Sequence, residues 1–472
     1  MKLDRLSRRE FLGLAAAATS GAVLAACQPQ VIERTVEVTQ IVKEEVPVEQ
    51  TVVVREEVEV TAVPPAGPAG QLIFWGHDDH PIDLAATGFV EKYPDVEWIS
   101  PHPADRGEKL RGAMAAGEGC PDLYWAEADE AQNWGCQGLL VDLTDFLAPE
   151  KDNYHPLKWN ETIVPTTGRN IGWPGDISVS GWYYRADLMD KLGYGDVDFS
   201  ALDYDEFCEI SSDLAAQGKY TFLFPAAGWY QAMVNFGYRL FQVGGSMVSK
   251  DGQTITVGDE RGIEAMRITK QLWDSGGGLD VDWLGPPYFA AMKADELIGQ
   301  FAAAWETGFW ESNLTPEEGG LGNWRVVPFF SGPTIKYRTG IFGGAQLVCP
   351  TCAQNKENAV AFMQYCLGSL EGCALCGAWG IIPSYRPYLE SPLFLRDKTA
   401  LFGDWPYNEF WAAQEKELSL EYVRPAGIGA VYTALGEVIP SIMRGEVSIE
   451  DGLAQVVEMA TSDFERSKCA IE

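Results

Sequence analysis

The chain is short of positive charge, of histidine and of long apolar runs. Lys and Arg number 35 against 68 Asp and Glu, which leaves a formal net charge of −33. So acidic a surface repels nucleic acid and anionic headgroups, and it argues against DNA binding and against charge-driven membrane binding. Histidine occurs only 4 times, which leaves little for a metal site. The apolar stretch from Phe11 to Ala26 is shorter than the ~20 residues a membrane-spanning helix needs. No Ser nucleophile elbow, phosphate-binding Gly loop or zinc-protease helix occurs. Paired carboxylates, the minimum for glycoside hydrolysis, carry little weight among 68 acidic residues. These absences point away from an enzyme and leave no cofactor to expect.

What is present starts with an address. Ser7-Arg8-Arg9-Glu10-Phe11-Leu12, a small-residue apolar stretch to Val23, and then Leu24-Ala25-Ala26-Cys27-Gln28 read as a twin-arginine export signal fused to a lipoprotein processing site. Cleavage before Cys27 frees its sulfur to carry diacylglycerol, so the mature chain is expected outside the cytoplasm, anchored to the outer face of the cell membrane. Loss of residues 1–26 removes four cations and two anions, which moves the net charge to −35.

Residues 28–70 contain no aromatic residue, alternate Val with Glu and Thr, and close on Pro64-Pro65-Ala66-Gly67-Pro68-Ala69-Gly70. A strand without a partner buries too little to order itself, so the segment behind Cys27 is expected to be an extended acidic spacer. The other readings are a β-augmentation strand and an oligomerisation stalk, and the apolar positions keep no heptad.

From Gln71 the pattern changes to that of a packed core. Leu72-Ile73-Phe74-Trp75, a helix over 84–92 and Val96-Glu97-Trp98-Ile99 form a βαβ unit, and Asp122-Leu123-Tyr124-Trp125 with a helix over 128–137 repeats the motif. Helices are expected over 204–217, 232–243, 260–275, 357–367, 431–444 and 448–462. Alternating helix and strand over ~400 residues, more than one core usually organises, indicates an α/β protein with two domains.

The order of local strings resembles the family 1 extracellular solute-binding proteins, the receptors of ABC importers that include the maltose-binding type. Carrying it are Phe89-Val90-Glu91-Lys92-Tyr93-Pro94, Cys120-Pro121-Asp122-Leu123-Tyr124-Trp125 running to Gly138-Leu139-Leu140, and Trp182-Tyr183-Tyr184-Arg185-Ala186-Asp187-Leu188. Gly343-Gly344, Lys356 to Met363 and Gly380-Ile381-Ile382-Pro383 continue it. The resemblance implies two discontinuous lobes joined by multiple crossings, with ligand closed between them by a hinge. The lobes are expected at 71–175 plus 285–335 and at 176–284 plus 336–472. It further implies a monomeric receptor that hands a mono- or oligosaccharide to permease subunits.

In open α/β sheets ligands lie where loops leave the C-terminal ends of strands. His77, Asp78 and Asp79 follow the first strand, and Trp125 and Glu127 follow the third. From the second lobe the resemblance adds Trp229 and Tyr230, and from the returning segments Trp305, Glu306, Phe309 and Trp310, with Trp379, Arg424 and Tyr432 behind them. Indole faces stack on the C–H faces of pyranoses while carboxylates accept from their hydroxyls, which suits a sugar. The same acidity also suits a polyamine. His77-Asp78-Asp79-His80 offers metal-type side chains, but they stand too close together to wrap an ion unaided.

The cysteines keep two readings open. Cys349-x2-Cys352 and Cys373-x2-Cys376 have the spacing of a structural zinc site, and they also read as disulfide candidates in an oxidising compartment. Cys120 and Cys136 form a further candidate pair across one strand-helix unit. Spacing alone does not choose connectivity.

Overall fold

The computed structural model describes residues 67–77, 80–396 and 399–469. The expected signal, Cys27, the spacer before Gly67, Asp78 and Asp79 lie outside them.

The first lobe grows from strand β1 (Gly70–Trp75), helix α1 (Pro81–Lys92) and strand β2 (Val96–Ile99). Pro81 fixes the first turn of α1, and the His80 ring accepts a hydrogen bond from the Ile82 N–H at 3.2 Å to cap it. Helix α2 (Arg106–Ala116), strand β3 (Leu123–Ala126) and helix α3 (Ala128–Cys136) follow. The five-stranded sheet runs β2-β1-β3-β10-β4, with β4 at Trp173–Pro174 and β10 at Gln346–Val348. Strands β1, β2 and β3 are parallel, whereas β10 runs antiparallel to both neighbours. Alternation along β3 sends Leu123 and Trp125 to one face, against α1 and the Lys356–Gly368 helix, and Tyr124 and Ala126 to the other, against α2 and α3.

The second lobe is built on an antiparallel sheet in the order β8-β5-β9: Gly299–Ala303, Ser180–Arg185 and Trp324–Val327. Its core joins Trp182, Phe207, Phe301 and Phe330 to helices at Glu260–Ser275, Ile428–Met443 and Ile449–Ser467. The Glu260–Ser275 helix is bounded as its chemistry dictates: Asp259 accepts from the Gly262 N–H at 2.9 Å, and Gly276 ends it at φ +71°. The two-lobed α/β expectation holds.

Strand pairing draws the lobes differently from the sequence expectation. Residues 285–335, assigned there to the first lobe, contain β8 and β9, which pair with β5 of the second lobe. Residues 346–377, assigned to the second, supply β10 and two helices to the first. Pairing across more than a hundred residues leaves no local trace, so sequence strings place segments in order without assigning them to a sheet.

Three strands of chain cross between the lobes side by side. Residues 175–179, 341–345 and 381–385 are knitted by bridges Val179↔Ile341 and Asp176↔Pro383, and by the Ile177 N–H donating to the Ile382 carbonyl at 2.8 Å. Gly343 and Gly344 hold φ of +74° and +92° there, and a Cβ on Gly344 would sit 3.1 Å from the Lys158 Nζ.

The cysteine pairing also corrects the sequence expectation. Cys120 and Cys136 are both oxidised but not to each other: Cys120 joins Cys352 and Cys136 joins Cys469, with Cα–Cα distances of 5.8 and 5.4 Å. Cys349 turns into the core, and Cys373 and Cys376, on one helix, face different cores. With Cys352 consumed, the four thiols do not converge, and among the described residues no His, Cys, Asp and Glu group is arranged to hold a metal.

Candidate functional site

Some of the sequence-expected residues fall into three settings where the lobes meet. On the first lobe, the loop after β1 carries His77, and the loop after β3 carries Glu127. Arg106, at the start of α2, ties them: its Nη1 donates to the Trp125 carbonyl at 2.6 Å, its Nη2 lies 2.7 Å from the His77 Nε2, and its plane lies 4.8 Å over Tyr124. A guanidinium only donates, so His77 accepts from it through Nε2. The Trp125 ring is mostly buried against His80, at 5.1 Å between centroids, so it supports the loop more than it faces the gap.

On the second lobe stands a wall of rings. Trp229 is 48% exposed, and Trp283 meets it edge-to-face at 5.5 Å while Phe342 lies nearly parallel at 6.0 Å. Trp283 in turn meets Trp305 at 5.8 Å, and the Trp305 indole N–H donates to the Phe342 carbonyl at 2.7 Å. Trp305 packs against the cores of both lobes, which places the wall at their junction. Glu306 lies beneath the wall and is fully buried: its Oε2 accepts from the Trp283 indole N–H at 2.8 Å and its Oε1 from the Ala303 N–H at 2.9 Å. Burial pushes its carboxyl up to about 8, against the pull of those two donors.

Between the two sits a buried charge cluster at the crossing. Arg424 grips Glu161 through Nε and Nη2 at 2.8 and 2.9 Å and donates to the carbonyls of Gly343 and Gly344. Lys158 donates to Glu161 and to the Gly344 carbonyl. Burial works to raise the Glu161 carboxyl, but Arg424 and Lys158 overcome it and hold it below its ordinary range. Glu127 lies 3.8 Å from Arg424, and burial, partly offset by Arg424, pushes its carboxyl up to about 7. Burial raises Asp129 and Asp176 as well.

Several expected ligand contacts belong to the scaffold instead. Trp310 is fully buried between Tyr183 at 5.1 Å and Trp324 at 5.2 Å. Tyr230 is buried, its hydroxyl accepting from the Gln300 Nε2 at 2.7 Å. Glu306 holds Trp283, Arg424 holds Glu161, and Tyr432 is buried on the Ile428–Met443 helix. The metal reading of the first loop fails on its described half, because His77 is turned to Arg106 and His80 caps α1. Sequence reasoning missed Trp283, Phe342 and Arg106. The loop Asp282-Trp283-Leu284-Gly285-Pro286 carried a signal, an indole just before a proline-started helix, as did Phe342 next to Gly343-Gly344.

A wall of partly exposed indoles on one lobe, polar loops on the other and a strap of three crossings between them define a two-lobed solute receptor. Residues 85–400 match the family model described as bacterial extracellular solute-binding protein, and the chain belongs to that family. It is accordingly an extracytoplasmic binding protein and not an enzyme. It is 27% identical over 162 residues to the lactose-binding protein of Rhizobium radiobacter, a match spanning 32% of this chain and 37% of that relative. Solved structures share the fold across nearly the whole globular part. The GacH receptor of Streptomyces glaucescens, solved free and with acarbose, superposes with a TM-score of 0.68 at 18% identity, covering 85% of this chain and 100% of the receptor. The binding protein from B. animalis subsp. lactis solved with beta-1,6-galactobiose gives 0.69 at 20% identity, over 86% and 100%. Maltose-bound MalE3 of T. maritima gives 0.67 at 18%, over 84% and 100%.

Proposed function

We propose that the chain captures a mono- or oligosaccharide between its lobes and delivers it to the permease subunits of an ABC importer. The observation that carries the reading is Trp229: a large apolar ring half open to solvent, held by Trp283 and Phe342, in a protein whose first lobe offers the Glu127 carboxylate and the Arg106 guanidinium after its strands. An exposed indole face is costly in water unless something covers it, and the C–H face of a pyranose does so. Similar proteins solved with acarbose, maltose or beta-1,6-galactobiose support the sugar class.

Ligand gripped from both lobes favours the closed form, which the permease can read. His77, Trp125, Glu127, Trp229 and Trp305 line or brace the gap, and Asp78 and Asp79 remain candidates on the same loop. Export by the twin-arginine route, acylation of Cys27 and a monomeric state complete the proposal. The acidic pair Glu127 and Asp129 favours a polyamine as second reading, though Arg424 and Arg106 beside them oppose a cation.

The test is a panel of sugars and polyamines against the mature protein, read as melting temperature and calorimetric titration. A sugar that raises the melting temperature without being consumed supports capture. Stabilisation by spermidine alone overturns the sugar class. A Cys27→Ala variant recovered in the soluble extracytoplasmic fraction supports the anchor.

A further inference from the structure

Among the described residues five cysteines stand outside the two disulfides, all of them buried. Cys208 and Cys349 each direct the sulfur at a backbone carbonyl, of Gln271 at 3.8 Å and of Pro350 at 3.7 Å. Cys366 and Cys376 direct theirs at each other, 3.5 Å apart. Cys373, one turn before Cys376, packs into the second-lobe core.

The elbow that carries the pair brings the two side chains together. The Lys356–Gly368 helix holds Cys366 in its last turn, and the Leu370–Gly377 helix, turned by 71° from it, holds Cys376 in its own last turn. Ser369 fixes the break: its hydroxyl donates to the Tyr365 carbonyl at 2.6 Å and accepts from the Gly372 N–H at 3.1 Å. Gly372 then lies so close to the first helix that a Cβ there would stand 2.7 Å from the Cys366 Cα. Any larger residue would hold the helices apart. Residues four apart share a helix face, so the face that presses Gly372 onto Cys366 also delivers Cys376 to it.

We propose that Cys366 and Cys376 form a third disulfide in the extracytoplasmic protein, a staple across the elbow between these two helices. The sulfurs have to close by about 1.5 Å to reach bonding distance, which side-chain rotation supplies. The co-reactant is another disulfide, that of a thiol oxidoreductase outside the cytoplasm or of oxidised glutathione. One cysteine thiolate attacks it, forms a mixed disulfide and expels a thiolate; the other then attacks the sulfur of the first and expels the remaining half. The two cysteines lose two protons and two electrons, and the co-reactant leaves as two thiols. Burial holds the Cys366 thiol well above its ordinary range, so exchange belongs to the opened elbow, during folding or local unfolding. The docked elbow afterwards shields the bond. The second helix leads through Trp379 into residues 381–385, so the staple also fixes the root of one crossing between the lobes. The proposal uses the compartment that the family defines and does not depend on sugar capture.

The test takes the mature protein from the extracytoplasmic fraction, unfolds it in iodoacetamide without reductant, and cleaves it after Glu371 and Leu375, which separates Cys366, Cys373 and Cys376. Mass spectrometry is expected to find the Cys366 and Cys376 peptides joined, two hydrogens lighter than their sum. Alkylation among the described cysteines should be confined to Cys208, Cys349 and Cys373. The link should persist in Cys373→Ser. Cys366→Ser with Cys376→Ser should melt a few degrees below wild type, because a tie across a separation of 10 residues restricts the unfolded chain. Alkylation of both Cys366 and Cys376 in the recovered protein overturns the proposal, as does a link from either of them to Cys373. The mass measurement uses the wild-type chain, so it decides even where a variant does not fold.

Discussion

Trp229 and Trp310 carry the same side chain and opposite duties. Trp310 is sealed among Tyr183 and Trp324, so Trp310→Ala leaves a cavity and should cost about 3–5 kcal/mol in chemical denaturation. Trp229→Ala removes a ring already half in water, so stability should move by less than about 1 kcal/mol while sugar affinity falls roughly ten- to hundredfold by calorimetry. Comparable stability losses at both positions would place Trp229 in the scaffold. Both indoles sit in strings of small and aromatic residues, and composition does not say which face of a strand or helix meets the core. That is why Trp229 and Trp310 read alike in sequence and Trp283 was passed over. Glu306 gives the residue scale its pH signature. Its carboxyl titrates near 8 in the fold, against an ordinary 4.5, so the unfolded chain gives up this proton first. The stability it contributes is complete below about 4.5 and is lost as pH rises through about 8. Glu306→Gln should flatten that fall, and the wild-type minus variant difference should decline with pH by at most about 1.4 kcal/mol per unit. A difference independent of pH from 5 to about 9 would mean Glu306 is ionised beneath the ring wall.

At the scale of elements, the crossing is held by backbone that only glycine adopts easily and by charges that neutralise one another. Gly344 at φ +92° has the Asp176 carbonyl and the Ser178 Oγ both 3.2 Å from where a Cβ would stand, besides Lys158. Gly445, after the Ile428–Met443 helix, holds φ +71° with nothing nearby. Gly445→Ala should therefore cost only the left-handed backbone term, roughly 1–2 kcal/mol. Gly344→Ala should cost more, and should also alter sugar affinity because it disturbs the strap that joins the lobes. Equal costs with unchanged affinity would show that the strap yields freely. Helix boundaries were legible because capping is local: Asp259 and Gly276 bracket one helix at the residues the pattern picks out. Pairing was not legible. Nothing in Gln300-Phe301-Ala302 announces that Trp182 lies beside it, so local strings order 285–335 along the chain without revealing the sheet it joins.

The whole molecule is tied at a place the hinge makes consequential. Cys120–Cys352 joins two segments of the first lobe. Cys136–Cys469 instead links the end of α3, in the first lobe, to the residue just past the Ile449–Ser467 helix of the second, across 333 positions of chain. The Gly427 N–H, donating to the Asn133 Oδ1 at 3.0 Å, reinforces the same contact. Under the proposed capture of ligand between the lobes the two bodies separate to admit it, and a covalent tie between them limits how far they open, whereas a tie within one body does not. Both disulfides close long loops, so each is expected to stabilise against unfolding by about 2–5 kcal/mol, and denaturation alone will not tell them apart. Shape will. In small-angle scattering of the ligand-free protein, Cys136→Ser with Cys469→Ser should enlarge the radius of gyration and the drop in it on adding sugar, while Cys120→Ser with Cys352→Ser should leave both as in wild type. Sugar affinity should fall in the first variant only, because a wider resting state must close further before both lobes grip. Identical scattering from the two variants would mean that the crossing strap alone sets the opening, and that Cys136–Cys469 serves only to hold the C-terminal helix in place.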